Sequence, residues 1–284
     1  MSYFIGYASG IAAGDVGCKD GPGYLFKTHK FENIKILYDT KKPDKYAVVT
    51  DICTRLSDEV LECIDKEKFF TVIGGDHSCA IGTWSGAAHA LRDKGDLGLI
   101  WIDAHFDAHT PKTSPSGNIH GMPVAVLLGY GDERLIHIQD HLPKIKPENI
   151  CMIGMRSYES GEQELIRKLN IKVFYMDEVL ERGFDAVFAE AREIVTRNTV
   201  GYGLSLDIDG IDPLEAPGVG TPAEKGIAGE AIYQAFKQYI LQDLKSKNNQ
   251  KLWGLELAEF NPHKDVDKKT EMLIIKLLEV FNKS

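Results

Sequence analysis

Apolar residues along this chain gather into short runs, and between the runs they recur at every third or fourth position. The runs at 3–8, 34–38, 69–73, 97–102, 149–153, 172–175, 200–206 and 252–257 predict strands, because little polar alternation interrupts them. The spaced pattern predicts helices over 45–65, 80–94, 163–169, 185–196, 228–245 and 268–281. Strand and helix therefore alternate from end to end. Parallel neighbours need a crossover connection, and its helix must land on a face of the sheet. The expected fold is α/β: one three-layer domain spanning 1–284, with an eight-stranded, mostly parallel sheet covered by helices on both faces. No Pro/Ser-rich linker or compositional break divides the chain.

In such sheets ligands bind beyond the carboxyl ends of the strands, so the polar residues that follow each run carry the interest. The third run leads into Gly74-Gly75-Asp76-His77-Ser78, the fourth into Asp103-Ala104-His105-Phe106-Asp107, and the seventh into Asp207-Ile208-Asp209-Gly210. Side chains alternate along an extended backbone, so Asp103, His105 and Asp107 would face one way if the strand continued past Ile102, as would Asp207 with Asp209. His77 on the Gly-Gly turn is a further candidate. Carboxylates crowded at a sheet edge repel one another unless positive charge compensates them, and two divalent cations would do so. The donors are carboxylates and imidazoles without thiolate, which points to Mn²⁺ rather than structural zinc. Two such ions close together can activate a water for attack on an electrophilic carbon, so metal-assisted hydrolysis is the expected chemistry. The Gly-Gly turn lacks the lysine of a phosphate loop, which sets nucleotide binding aside.

Composition narrows the partners. The formal net charge of −9 argues against nucleic acid or an anionic membrane, whose affinity for proteins comes from clustered Lys and Arg. Five cysteines with no C-x-x-C spacing write neither a disulfide framework nor a thiolate zinc site, and they fit a reducing compartment. No basic leader and no apolar run of roughly 18 residues is present, so a cytoplasmic protein is expected. The Lys41-Lys42 and Lys144/Lys146 pairs read as solvated charges, and His29, His89, His137, His141 and His263 have no partner at ligand spacing. Trp84 and Trp101 read as packing residues.

These clusters resemble the arginase family, the ureohydrolases that also include agmatinase, guanidinobutyrase and formiminoglutamase. The resemblance starts in the glycine-rich segment 14–22 and runs through the three strand-end clusters. It also covers Ser116-Gly117-Asn118-Ile119-His120-Gly121-Met122-Pro123 and Gly254-Leu255-Glu256-Leu257-Ala258-Glu259-Phe260-Asn261-Pro262. It implies two Mn²⁺ per subunit, one held by His77, Asp103, Asp107 and Asp207 and the other by Asp103, His105, Asp207 and Asp209. Asp103 and Asp207 would bridge, and Asp107 would also orient the attacking water.

By the same resemblance Glu259 matches the carboxylate that holds a substrate guanidinium, and His120 matches a proton shuttle to the leaving amine. Ser116 and Asn118 match residues that bind the α-carboxylate of arginine, and Thr221 matches a threonine near the guanidinium. The implied reaction is L-arginine plus water to L-ornithine plus urea, in a homo-oligomer (trimer or hexamer). The alternative is a related ureohydrolase acting on agmatine, guanidinobutyrate or formiminoglutamate. Two positions depart from the arginase pattern. His109 stands where arginases have Asn, and Ser157 and Glu159 replace an Asp-x-Asp pair that reads the α-amino group. His109 is therefore either a carboxylate donor or a solvated loop residue, and Glu159 either an amine ligand or a helix cap.

Overall fold

The computed structural model describes residues 3–281. Eight strands, β1 (Tyr3–Ala8), β2 (Ile34–Tyr38), β3 (Phe70–Gly74), β4 (Gly98–Ile102), β5 (Ile150–Met155), β6 (Lys172–Tyr175), β7 (Tyr202–Asp207) and β8 (Leu252–Ala258), form one sheet. Their order is β2-β1-β3-β8-β7-β4-β5-β6, and every pairing is parallel, so the expected mostly parallel sheet is wholly parallel. Strand boundaries differ from the predicted ones by no more than two residues at either end.

Two apolar clusters fill the layers on either side of the sheet, and the pleat divides β4 between them. Leu99 and Trp101 join the cluster under helices Lys45–Asp65 and Cys79–Leu91, whereas Ile100 joins the one under Phe184–Thr196, Gly229–Asp243 and Lys269–Phe281. The helix Lys45–Asp65 starts where predicted because Asp44 Oδ1 accepts a hydrogen bond from Ala47 N at 2.9 Å. Packing on β7 leaves no room for a side chain at Gly203, where an added Cβ would lie 2.0 Å from Trp84. The helices Gly21–Thr28, Pro123–Leu127, Glu133–Ile136 and Met176–Arg182 were not expected, being too short to display a helical repeat in sequence.

The pair Lys144/Lys146 does not behave as one solvated set. Lys144 is buried, and its ammonium donates to the carbonyls of Ile136, Asp140 and Leu142 and to Asp140 Oδ1, so it closes a loop from within. Three of the unassigned histidines also have partners, all carboxylates: His29 with Glu271, His89 with Asp140 and His263 with Asp20. No described helix is long and apolar enough to cross a membrane.

Candidate metal centre

The four central strands, β3, β8, β7 and β4, end side by side. After β3 the chain turns through Gly75, whose N–H donates to Tyr7 O at 2.7 Å and whose missing side chain would meet Ser9 O at 2.0 Å. The turn delivers His77 beneath the sheet end, with its N–H donating to Glu259 Oε1 at 2.8 Å. Glu259 lies just past β8 in the left-handed region, φ 67°.

His77 is fixed from behind. Ser205 on β7 donates its hydroxyl proton to Glu256 Oε1 at 2.9 Å, so its oxygen can only accept from His77 Nε2, also at 2.9 Å. That assignment makes Nδ1 the nitrogen available to a metal. The ring is stacked on Trp101, with centroids 4.2 Å apart. Nδ1 faces three carboxylate oxygens: Asp207 Oδ2 at 2.9 Å, Asp107 Oδ2 at 3.1 Å and Asp103 Oδ2 at 3.3 Å. A second group lies alongside, where His105 Nδ1 is 3.3 Å from Asp209 Oδ2 and 3.5 Å from Asp103 Oδ1. Asp103 thus gives one oxygen to each group, one of the ways a carboxylate can bridge two ions. The corresponding second contact of Asp207 is not seen; its Oδ1 accepts from Asp209 N at 2.9 Å.

The six expected ligands come together, but not by strand alternation. The extended backbone stops at Ile102, and Asp103 Oδ1 accepts from His105 N at 2.7 Å. Asp107 takes a φ of 49°. Asp207 likewise closes a tight turn over Ile208–Gly210. Both ligand segments are Asx turns, in which one carboxylate oxygen caps the bend. Asp103 and Asp207 each direct the other oxygen at the cluster.

These residues fit a pair of cations. His77 Nδ1, Asp107 Oδ2 and Asp209 Oδ1 are buried without a hydrogen-bond partner, a costly state for polar atoms that a metal relieves. The crowding raises the proton affinity of the cluster. Burial, with the charges of Asp209 and Asp103, drives the Asp207 pKa well up. Burial and Asp103 raise Asp107 to about 6. Burial opposes charge on His77, yet its carboxylate neighbours hold its pKa well above the usual value.

Above the cluster is a cavity of about 280 Å³, lined by His105, Asp107, His120, Ser116, Asn118 and Thr221 together with the His109–Glu159 rim. His120 Nδ1 is 3.0 Å from Glu259 Oε1. Burial opposes its protonation, but Glu259 lifts its pKa to about 9. Among the described residues Glu259 Oε2 has no donor. Thr221 donates to Asp209 Oδ2 at 2.9 Å, so its hydroxyl is engaged with a candidate ligand. His109 is buried and not a solvated loop residue: Nε2 lies 3.0 Å from Glu159 Oε2 and Nδ1 3.2 Å from Thr113 Oγ1. Glu159 occupies the N-cap position of helix Ser160–Lys168 and also pairs with His109, which draws its pKa down.

Several supporting residues escaped the sequence reading. Glu162 is buried, accepts from Ala108 N and Glu159 N at 3.1 Å, and so joins the metal loop to the pocket rim. Arg156 donates to five carbonyls, those of Gly154, Asp209, Gly210, Ala223 and Glu224. Trp101 is a packing residue, as expected, but its indole N–H also donates to Asp103 Oδ2 at 3.0 Å. Glu256 had a visible signal, a charge inside the apolar run Leu255-Glu256-Leu257; Ser205 had none.

Comparison with known proteins agrees with this geometry. A profile of the Arginase family matches residues 6–281. The arginase of Brevibacillus brevis is 41% identical over 230 residues, 81% of this chain and 74% of the relative. The crystal structure of Bacillus subtilis arginase superposes with a TM-score of 0.88 at 35% identity, covering 100% of this chain and 99% of the other. Entamoeba histolytica arginase, solved in complex with L-ornithine, superposes with a TM-score of 0.89 at 30% identity over 100% of both chains.

Proposed function

The chain belongs to the arginase family and is a hydrolase of guanidino C–N bonds, and from that premise we propose that it converts L-arginine and water to L-ornithine and urea with two Mn²⁺ per subunit. The observation that carries the reading is the convergence of two His–Asp groups sharing Asp103 beneath a cavity that also reaches Ser116 and Asn118. His77, Asp103, Asp107 and Asp207 would hold one ion, and Asp103, His105, Asp207 and Asp209 the other. When bound, the two ions lower the pKa of a water and present it to the substrate carbon.

The remaining roles belong to side chains. Glu259 has Oε1 occupied by His77 N and His120, so Oε2 is left for the planar guanidinium, a charge-assisted pairing. Asp107 accepts a hydrogen bond from the attacking water and keeps its lone pair on the carbon. As the C–N bond breaks, His120 supplies the proton that the departing amine nitrogen needs. Ser116 and Asn118 receive the α-carboxylate at the far end of the cavity. The L-ornithine held by the Entamoeba relative is the product expected here.

A second reading is favoured by the His109–Glu159 pair, which occupies the end where an α-amine would be read. A guanidino acid without that amine, such as 4-guanidinobutyrate, would keep the carboxylate contacts and lose nothing at His109. The deciding experiment measures urea or formamide release with Mn²⁺ from arginine, agmatine, 4-guanidinobutyrate and formiminoglutamate. Highest kcat/KM on arginine supports the first reading, and highest on guanidinobutyrate the second. Highest on agmatine removes the roles given to Ser116 and Asn118. Metal analysis of active protein finding one zinc in place of two manganese ions ends the binuclear manganese proposal. The protein is further proposed to work in the cytoplasm as a homo-oligomer, trimer or hexamer, which a light-scattering mass tests. Its five cysteines are free and buried.

A further inference from the structure

At the amino ends of the strands, the pole opposite the metal centre, lies a larger cavity of about 790 Å³. It opens between the start of β8, the segments entering β3 and β7, and the loop after helix Gly229–Asp243. Five lysines line it, Lys68, Lys94, Lys245, Lys247 and Lys251, against one acid, Glu67. None of the five ammonium groups forms an ion pair or a hydrogen bond with a described residue, whereas Lys35, Lys42, Lys146, Lys264 and Lys276 elsewhere each meet a carboxylate. Two of the five share one indole: Lys251 Nζ is 3.6 Å and Lys94 Nζ 5.6 Å from the Trp253 ring centre.

This concentration of unpaired ammonium groups occurs in a chain whose net charge is −9. Charge of one sign around a concave, low-dielectric wall focuses the field and gathers the opposite ion. The volume falls in the range of small-molecule sites, roughly 300–1,000 Å³. We propose that this cavity binds a compact multivalent oxyanion of the oligophosphate type, held between Lys94 and Lys251 over the Trp253 ring and Lys68, Lys245 and Lys247 around it. The same chemistry is offered by free oligophosphate and by the phosphate tail of a nucleotide. The site is separated from the metals by the length of a strand, roughly 20 Å at ~3.3 Å per residue, so binding needs no part of the catalytic machinery.

The test is calorimetric titration of the manganese-loaded protein with inorganic tripolyphosphate, a nucleoside triphosphate and orthophosphate, with Trp253 fluorescence as a second signal. Comparison is with the double variant Lys94→Gln/Lys251→Gln and with Lys245→Gln/Lys247→Gln, whose lysines are exposed and whose loss spares the fold. Withdrawal of metal by the phosphates would be equal in all three proteins, so only the differences read the cavity. Saturable binding of a triphosphate to the wild type, weakened by about tenfold or more in either variant, with urea release before addition unchanged, supports the proposal. A nucleotide that binds better than tripolyphosphate identifies the tail as the source, and equal binding identifies free oligophosphate. Absence of saturable binding, or binding equal in wild type and both variants, overturns it. So does a change in assembly mass in either variant, which would make the lysines a contact between subunits.

Discussion

His77 can offer Nδ1 to a metal only because another pair of side chains fixes the proton on Nε2. Ser205 passes its own hydrogen to Glu256 and must take one from Nε2, so removing either residue frees the ring to turn or to adopt the other tautomer. Ser205→Ala and Glu256→Gln should each weaken manganese binding by about 10–100-fold, measured by titration of the metal-free protein, without loss of the fold. His120 sits against Glu259 on the cavity side, and His120→Ala should lower kcat by about 10²–10⁴-fold with little change in KM. A rise in KM alone would move His120 to substrate binding. At the pocket mouth, donors left unpaired by agmatine cost about 1–3 kcal/mol, so arginine should exceed it in kcat/KM by at least about tenfold. Arginine binding should be weaker than in an arginase with Asn at this position, because His109 is engaged by Glu159. His109→Asn, assayed beside wild type, should recover part of it.

The two ligand turns are held in place by connections between elements. Arg156, just past β5, clamps the segment that carries Asp209 and Thr221 by donating to Asp209 O at 2.8 Å and Ala223 O at 3.0 Å. A lysine has one nitrogen where the guanidinium has three, and it cannot reach carbonyls on both sides of the fork. Arg156→Lys should therefore loosen the turn Ile208–Gly210 and the second ion with it, while the first ion on His77 stays. The expected result is a fall from two manganese ions toward one after dialysis, with a lower Tm. Retention of both ions would limit Arg156 to general stability.

Across the folded chain, metal binding and stability are linked through protons. Without metal, Asp107 and Asp207 have pKa values raised above their unfolded ones, so above the ordinary carboxylate range they oppose folding, increasingly as pH rises toward and past about 6. His77 and His105 are also raised, and the stability they contribute is full below about 6.5 and declines as pH climbs toward their folded values. Both trends weaken the metal-free protein as pH rises from about 5 to 8, the range in which metal displaces those protons most readily. The gain in Tm on adding Mn²⁺ should grow steadily over that interval. A gain that shrinks with pH would mean that the metal binds elsewhere.

Alternating apolar runs and helical repeats are local properties, and they were enough for the strand sequence, the parallel sheet and the strand ends that carry Asp103, His105, Asp107, Asp207 and Asp209. Family resemblance added Glu259 and His120, whose chemistry composition could not single out. Strand alternation would align these side chains only if β4 continued past Ile102, and it does not: the backbone bends after Ile102 and again at Asp107. That bend follows from the hydrogen bond of a carboxylate to its own chain, a feature strand periodicity does not contain. Ser205, Glu162 and Arg156 were invisible because the partners that tie them to the site, Glu256, Ala108 and the carbonyls of Asp209 and Ala223, lie far away in sequence, and Glu256 was visible only as a charge that needed one. The order β3-β8-β7-β4 seats Glu256 beside Ser205 and below His77, and strand order depends on which helices cover which face. Hydrophobic burial along the chain thus dictates which segments become strands; their arrangement in space decides which polar atoms meet.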